Sequence, residues 1–218
     1  MKVNPVQNNV SFQSKIKFVP RKIFRDKDFL PYVDCHARTE ELQRSLIRDR
    51  AFVTTEVRTC TAGGVVDENG VLGFHLYDCD ENIERVGNEL AKIIDFQNGK
   101  NSSALVIGSK ELPSRLESVP LFDRVRGVIS QFVNPSVFKT HTNPLAESNV
   151  SYEKDIDTWF VYTPLPKYSA YMPDEPFINS LESLISAFKE IKIAPQDTLF
   201  IGEKQISKEE CPRIFYDA

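Results

Sequence analysis

The stretch from Phe52 to Asp78, FVTTEVRTCTAGGVVDENGVLGFHLYD, constrains this chain more than any other. Two β-rich arms flank Asp67-Glu68-Asn69-Gly70, and Asn-Gly between alternating residues is a strong turn signal. The pattern predicts a hairpin. A strand turns successive side chains to opposite faces. On the first arm Thr54, Glu56, Arg58, Cys60 and Ala62 therefore share one face. On the second arm Val71, Gly73, His75 and Tyr77 share a face, opposite Leu72, Phe74 and Leu76. If all four turn residues form the loop, Val66 faces Val71 and Ala62 faces His75. Cys60 is then the diagonal neighbour of His75, roughly 7–8 Å away. A two-residue Asn-Gly turn instead sets Gly64 opposite His75 and carries Cys60 out of reach.

The remaining chain reads as a layered α/β structure. The first fourteen residues are polar and are expected as a flexible tail without the apolar core of an export signal. Lys15 to Pro20 reads as a short edge strand, and Thr39 to Arg48 as a helix with Thr39 at its N-cap. Cys79 to about Phe96 carries Ile83, Val86, Leu90, Ile93 and Ile94 at helical spacing, with Asp78 and Glu81 spaced as a capping box. Ala104 to Gly108 is a continuous apolar run, as expected of a strand buried on both faces. Strand, helix and strand in that order predict a crossover onto one sheet. A second helix is expected over Val119 to Phe132, capped by Ser118. Strands are expected at Ser136 to His141, Ile156 to Thr163, Thr198 to Ile201 and Arg213 to Tyr216. The connection after His141 is polar and contains Asn143-Pro144. A third helix is expected from Pro176 to Ile191, capped by Asp174. The fold class is thus a layered α/β sandwich of a mixed β-sheet with helices packed on its faces. Residues 1–14 form the tail, 15–163 the core domain, and 164–218 a Pro/Tyr loop with a C-terminal helix and strands packed on that core.

Several functional classes lack support. A net charge of −4 over 218 residues disfavours a dedicated binder of nucleic acid or anionic membranes. No apolar run approaches the roughly 18–20 residues of a membrane span. The four cysteines, Cys35, Cys60, Cys79 and Cys211, are too irregularly spaced for a disulfide framework. A reducing cytoplasm is the expected location. Cys35, His36, Cys60, His75 and Cys79 are residue types that bind zinc, but no C-x-x-C or H-x-x-x-H pair occurs, and no metal is expected. His141 ends an expected strand, and its simpler reading is an exposed loop histidine. Glu147 and Asp155 have no acid–base spacing. Tyr162, Tyr168 and Tyr171 lie about the proline-rich loop and suit either loop packing or a partner surface.

Cys60 with His75 is the pairing that carries chemistry. A thiolate is the nucleophile, and an adjacent imidazole accepts the thiol proton and stabilises the anion. Arg58 on the same strand face lowers the thiol pKa if it lies close. Gly63, Gly64 and Gly73 leave room for substrate backbone or supply donors to a developing oxyanion. The simpler alternative is a small buried cysteine beside an unrelated histidine.

At this hairpin the sequence resembles the chemoreceptor glutamine deamidase family. Thr54 stands six residues before Cys60, and Gly73-Phe74-His75 occupies the place of that family's glycine–histidine strand. The order of elements around Ala104 to Lys110 is also similar, and the resemblance covers roughly Phe52 to Thr163. Glu56-Val57-Arg58-Thr59 stands where the family has glycine-leucine-glycine-serine, and the interval from cysteine to histidine is about two residues shorter. The resemblance implies a layered α/β fold and a cysteine–histidine amidohydrolase acting on a protein glutamine without a cofactor. Cys60 would be the nucleophile, His75 the base, and Thr54 the residue that orients the histidine or helps bind substrate. The competing expectation is a non-enzymatic protein-binding or scaffold domain of the same fold.

Overall fold

The computed structural model describes residues 14–20, 46–49, 51–57, 60–68, 70–76, 80–93, 102–108, 120–140, 148–163 and 178–216. These form a layered α/β structure with two mixed six-stranded sheets. The strands are β1 (Lys15–Pro20), β2 (Leu46–Asp49), β3 (Ala51–Val57), β4 (Thr61–Asp67), β5 (Gly70–Leu76), β6 (Ser103–Gly108), β7 (Ser136–Thr140), β8 (Ser148–Glu153), β9 (Thr158–Thr163), β10 (Phe188–Lys192), β11 (Thr198–Ile201) and β12 (Lys204–Ile206). Among the described residues the α-helices are α1 (Asp80–Ile93), α2 (Leu121–Ile129) and α3 (Leu181–Ala187). One sheet has the order β12-β11-β1-β9-β8-β3, and the other β10-β7-β6-β4-β5-β2.

The layers follow from strand alternation. Ile16, Phe18, Phe52, Tyr152, Trp159 and Val161 of the first sheet pack with Ala62, Val66, Val71, Leu105, Ile107 and Phe138 of the second. The opposite face of the second sheet carries Val65, Leu72, Phe74, Leu76, Ala104 and Val106. These meet Ile83, Val86 and Leu90 of α1 and Phe122, Val125 and Ile129 of α2. β6 is therefore buried on both faces, which is why its apolar run is unbroken. The crossover through α1 does return to the same sheet, with β4 lying between β5 and β6.

Two glycines let the sheets approach. A Cβ on Gly73 would come within 2.5 Å of Phe52 Cγ, because the Phe52 ring lies directly on the Gly73 backbone. A Cβ on Gly64 would lie 2.6 Å from the Leu72 carbonyl oxygen and 3.0 Å from the edge of the Trp159 ring. Phe52 and Trp159 in turn meet edge to face, with centroids 6.2 Å apart.

Several expected elements are corrected. β1 is a central strand, parallel to both β9 and β11, because Ile16 and Phe18 belong to the inter-sheet core. The expected helix at Thr39 to Arg48 ends in a strand: Leu46–Asp49 pairs antiparallel with β5, and the earlier part lies outside the described residues. The polar connection after His141 contains β8, held between β3 and β9. The expected strand at Ile156 begins at Thr158, after a short 3-10 turn at Lys154–Ile156. α2 starts at Leu121 with Pro120, not Ser118, before it.

The third expected helix stops at Ala187. Ser180, rather than Asp174, caps it in a reciprocal box with Ser183. Phe188 then turns extended and starts β10. A register shift between Phe188 and Glu190 lets Phe188 and Ile191 both enter the inter-sheet core. Three-residue spacing on a bulged strand thus imitates helical periodicity. Arg213 to Tyr216 is not a ladder strand. A 3-10 turn covers Pro212–Ile214, and Phe215 makes an isolated bridge with Ile193.

Candidate active site

The β4–β5 register decides whether Cys60 and His75 are neighbours. Val66 pairs with Val71 and Ala62 with His75, while Asp67 pairs with Gly70. The tip is held locally. Asp67 Oδ1 accepts the Gly70 amide at 3.0 Å, and Lys154 Nζ donates to the carbonyls of Asp67 and Glu68. This is the register in which the four turn residues lie beyond the Val66–Val71 pair. Cys60 directly precedes β4, one residue before the Thr61–Leu76 pair and two before the Ala62–His75 pair, and it is buried.

Thr54 arrives from elsewhere. Sequence alternation sets Thr54 and Cys60 on one arm, where six residues of strand separate them by about 20 Å. The arm is instead broken between Val57 and Thr61. β3 belongs to one sheet and β4 to the other. Thr54 therefore faces His75 across the sandwich, and Thr54 Oγ1 lies 2.6 Å from His75 Nδ1. Thr54 and His75 come from strands of the two different sheets, and Cys60 lies in the segment between β3 and β4 that connects those sheets. All are enclosed, with Cys60 5 %, His75 2 % and Thr54 0 % exposed. His75 Nε2 is itself buried. The short contact fixes the plane of the imidazole. When Nδ1–H donates to Thr54 Oγ1, Nε2 carries the lone pair and is the basic nitrogen.

The glycines expected around a substrate have other neighbours. Gly64 and Gly73 are covered by Trp159 and Phe52, as described above. Gly63, at φ 144°, presses on the Leu105 carbonyl of β6. Arg58, Cys35, His36, Cys79, His141, Glu147, Tyr168 and Tyr171, and the side chain of Tyr162, lie outside the described residues. Asp155 is exposed in the turn before β9. Among the described residues no group of three or more His, Cys, Asp or Glu side chains is placed to hold a metal ion. No described helix is long and apolar enough to cross a membrane.

Sequence reasoning missed a second buried polar cluster at the other end of the second sheet. Asp197, immediately before β11, accepts from Ser103 Oγ at 2.7 Å and Ser136 Oγ at 2.6 Å. Ser136 Oγ also accepts from the Ala194 amide at 2.9 Å. Nearby, Asp157 Oδ1 accepts from Ser14 Oγ at 2.7 Å and from the Tyr152 hydroxyl at 2.9 Å. Burial pushes the Asp197 carboxyl up to about 7, against the hydrogen bonds that pull it down. Burial, together with Asp157, also pushes the Tyr152 phenol well above its ordinary range. An aspartate before TLFI carries no local signal of this role, because its partners lie on strands distant in sequence.

No family model matches the chain, and no curated protein matches it.

Proposed function

We propose that this protein is a cysteine–histidine amidohydrolase that converts the side-chain amide of a glutamine in a partner protein to a carboxylate. The 2.6 Å contact between Thr54 Oγ1 and His75 Nδ1, beside a hairpin register that pairs His75 with Ala62, two residues after Cys60, supports this reading. A nucleophile, a base and a group that orients the base form the arrangement used in acyl transfer.

Each step uses these side chains and one water. His75 Nε2 takes the Cys60 proton, and the thiolate attacks the amide carbon to form a C–S bond and a tetrahedral oxyanion. Collapse breaks the C–N bond, and the imidazolium returns its proton so that ammonia leaves. The product is a thioester on Cys60. His75 then deprotonates a water that attacks the thioester. The C–S bond breaks, the thiolate recovers its proton, and glutamate is released. Thr54 holds the ring at Nδ1 throughout, which leaves Nε2 as the nitrogen that exchanges the proton, and the reaction requires no cofactor. The site of action in this reading is the cytoplasm.

The enclosure of all three side chains favours a second reading, in which the domain binds a protein partner without catalysis and Cys60 is a core thiol. The pH dependence of Cys60 alkylation, assigned by peptide mapping, separates the two. An activated thiol reacts well below the ordinary cysteine pKa of about 8.5, and His75→Ala removes that advantage. Ammonia release from glutamine-containing proteins then tests the reaction itself. A slow thiol indifferent to His75→Ala sinks the enzymatic reading.

A further inference from the structure

We propose that Gly108, at the end of β6, is a positioning residue that sets the backbone of the Cys60 nucleophile. The inference rests on the Cys60–His75 reading above. It comes from how the last rungs of the second sheet are arranged. Thr61 is the first residue of β4, and it pairs with Leu76 on one side and Gly108 on the other. Cys60 is the residue just before both pairs, at the end of the two ladders.

Gly108 supplies a contact there. Its φ is 136°, a conformation that L side chains rarely adopt. A Cβ at this position would collide with the Cys60 carbonyl oxygen, and it would lie 3.0 Å from Thr61 Cα and 3.3 Å from the Cys60 carbonyl carbon. The β6 backbone is therefore pressed directly on the peptide that follows the nucleophile. On its other side Gly108 pairs with Lys139 of β7. The absence of a side chain lets this close approach occur.

Any side chain at Gly108 has to push the Cys60 carbonyl away by about 1 Å, a displacement that costs on the order of a hundredfold when it moves a reacting group. A useful control lies on the adjacent strand. Gly63 has a similarly unusual φ of 144°, but a Cβ there would strike the Leu105 carbonyl and lie 3.3 Å from the Phe74 ring, and its nearest neighbours do not include the Cys60 peptide.

The test compares the pH profile of Cys60 alkylation by iodoacetamide in the native protein, His75→Ala, Gly108→Ala and Gly63→Ala, with folding followed by circular dichroism. Both glycine variants are expected to lose stability. Only Gly108→Ala is expected to lose the low-pH reactivity of Cys60, by about 10- to 100-fold near neutral pH. A folded Gly108→Ala with the native profile overturns the proposal, as does an equal loss in folded Gly63→Ala. If Gly108→Ala does not fold in buffer, the profile is measured in sucrose, which is excluded from the protein surface and favours the compact state. Failure to fold there as well refutes a positioning role in favour of a purely architectural one. Failure of the underlying reading has a different signature, since the native thiol itself is then slow and indifferent to His75→Ala.

Discussion

Replacing Asp197 by asparagine should remove the fall in stability that its raised carboxyl pKa is expected to impose as pH rises towards neutrality. Asp197 is buried at 6 % exposure and receives hydrogen bonds from Ser103 and Ser136 of the facing sheet. Its carboxyl is raised from 3.8 to about 7, first because burial disfavours the charged form; the nearby Asp157 raises it further. Between those two values the folded protein holds a proton that the unfolded chain has released. Stability therefore falls as pH rises through this window and levels off above about pH 7. A span of about three pH units, at about 1.4 kcal/mol each, is on the order of 4 kcal/mol. About 2–3 kcal/mol of that lies between pH 5 and pH 8. Asparagine cannot ionise, and it keeps the size and a hydrogen-bonding edge towards the two serines. The variant should be less stable than the native protein near pH 5, by about 1 kcal/mol for imperfect hydrogen bonds, and more stable near pH 8. Urea unfolding at several pH values, read as the difference between variant and native protein, cancels titrations common to both. Parallel stability curves, with no crossing, would refute the reasoning.

Two other perturbations test the packing and the site. Gly73→Ala places a methyl group into the Phe52 ring, and overpacking of this kind costs about 1–3 kcal/mol. Adding Phe52→Leu should recover part of that loss, measured as non-additivity of urea midpoints, whereas additive losses would mean that the ring is not what Gly73 accommodates. Thr54→Val removes the hydroxyl facing His75 Nδ1 while keeping the side-chain volume, so it should cost about 1–3 kcal/mol in stability and slow Cys60 alkylation near neutral pH. Thr54→Ser should retain the alkylation profile, and equal behaviour of the two variants would show that the hydroxyl has no orienting role.

Local chemistry determined what lies close in sequence. The turn residues around Asn69-Gly70 mark the hairpin, but the sequence allowed two registers, and only the observed Val66–Val71 pair, closed by Asp67 and Gly70, chose between them. The doubly buried β6 and the apolar stripe of α1 are legible, since each repeats at the period of its own element. The fate of Phe188 and Ile191 was not legible. A bulge made their spacing helical, and only pairing with β7 selected a strand. Leu46 and Ile47 suit a helix or an edge strand equally, and the open side of β5 decided between them. The candidate site shows the same division. Thr54 reaches His75 only because the chain leaves one sheet after Val57 and enters the other at Thr61. Asp197 meets Ser103 and Ser136, and Gly108 meets Cys60, through contacts between segments far apart along the chain. Periodicity and turn chemistry encode which face a residue occupies. Which residue stands opposite that face is settled when the two sheets bury their apolar sides against each other, because that burial depends on all the strands at once.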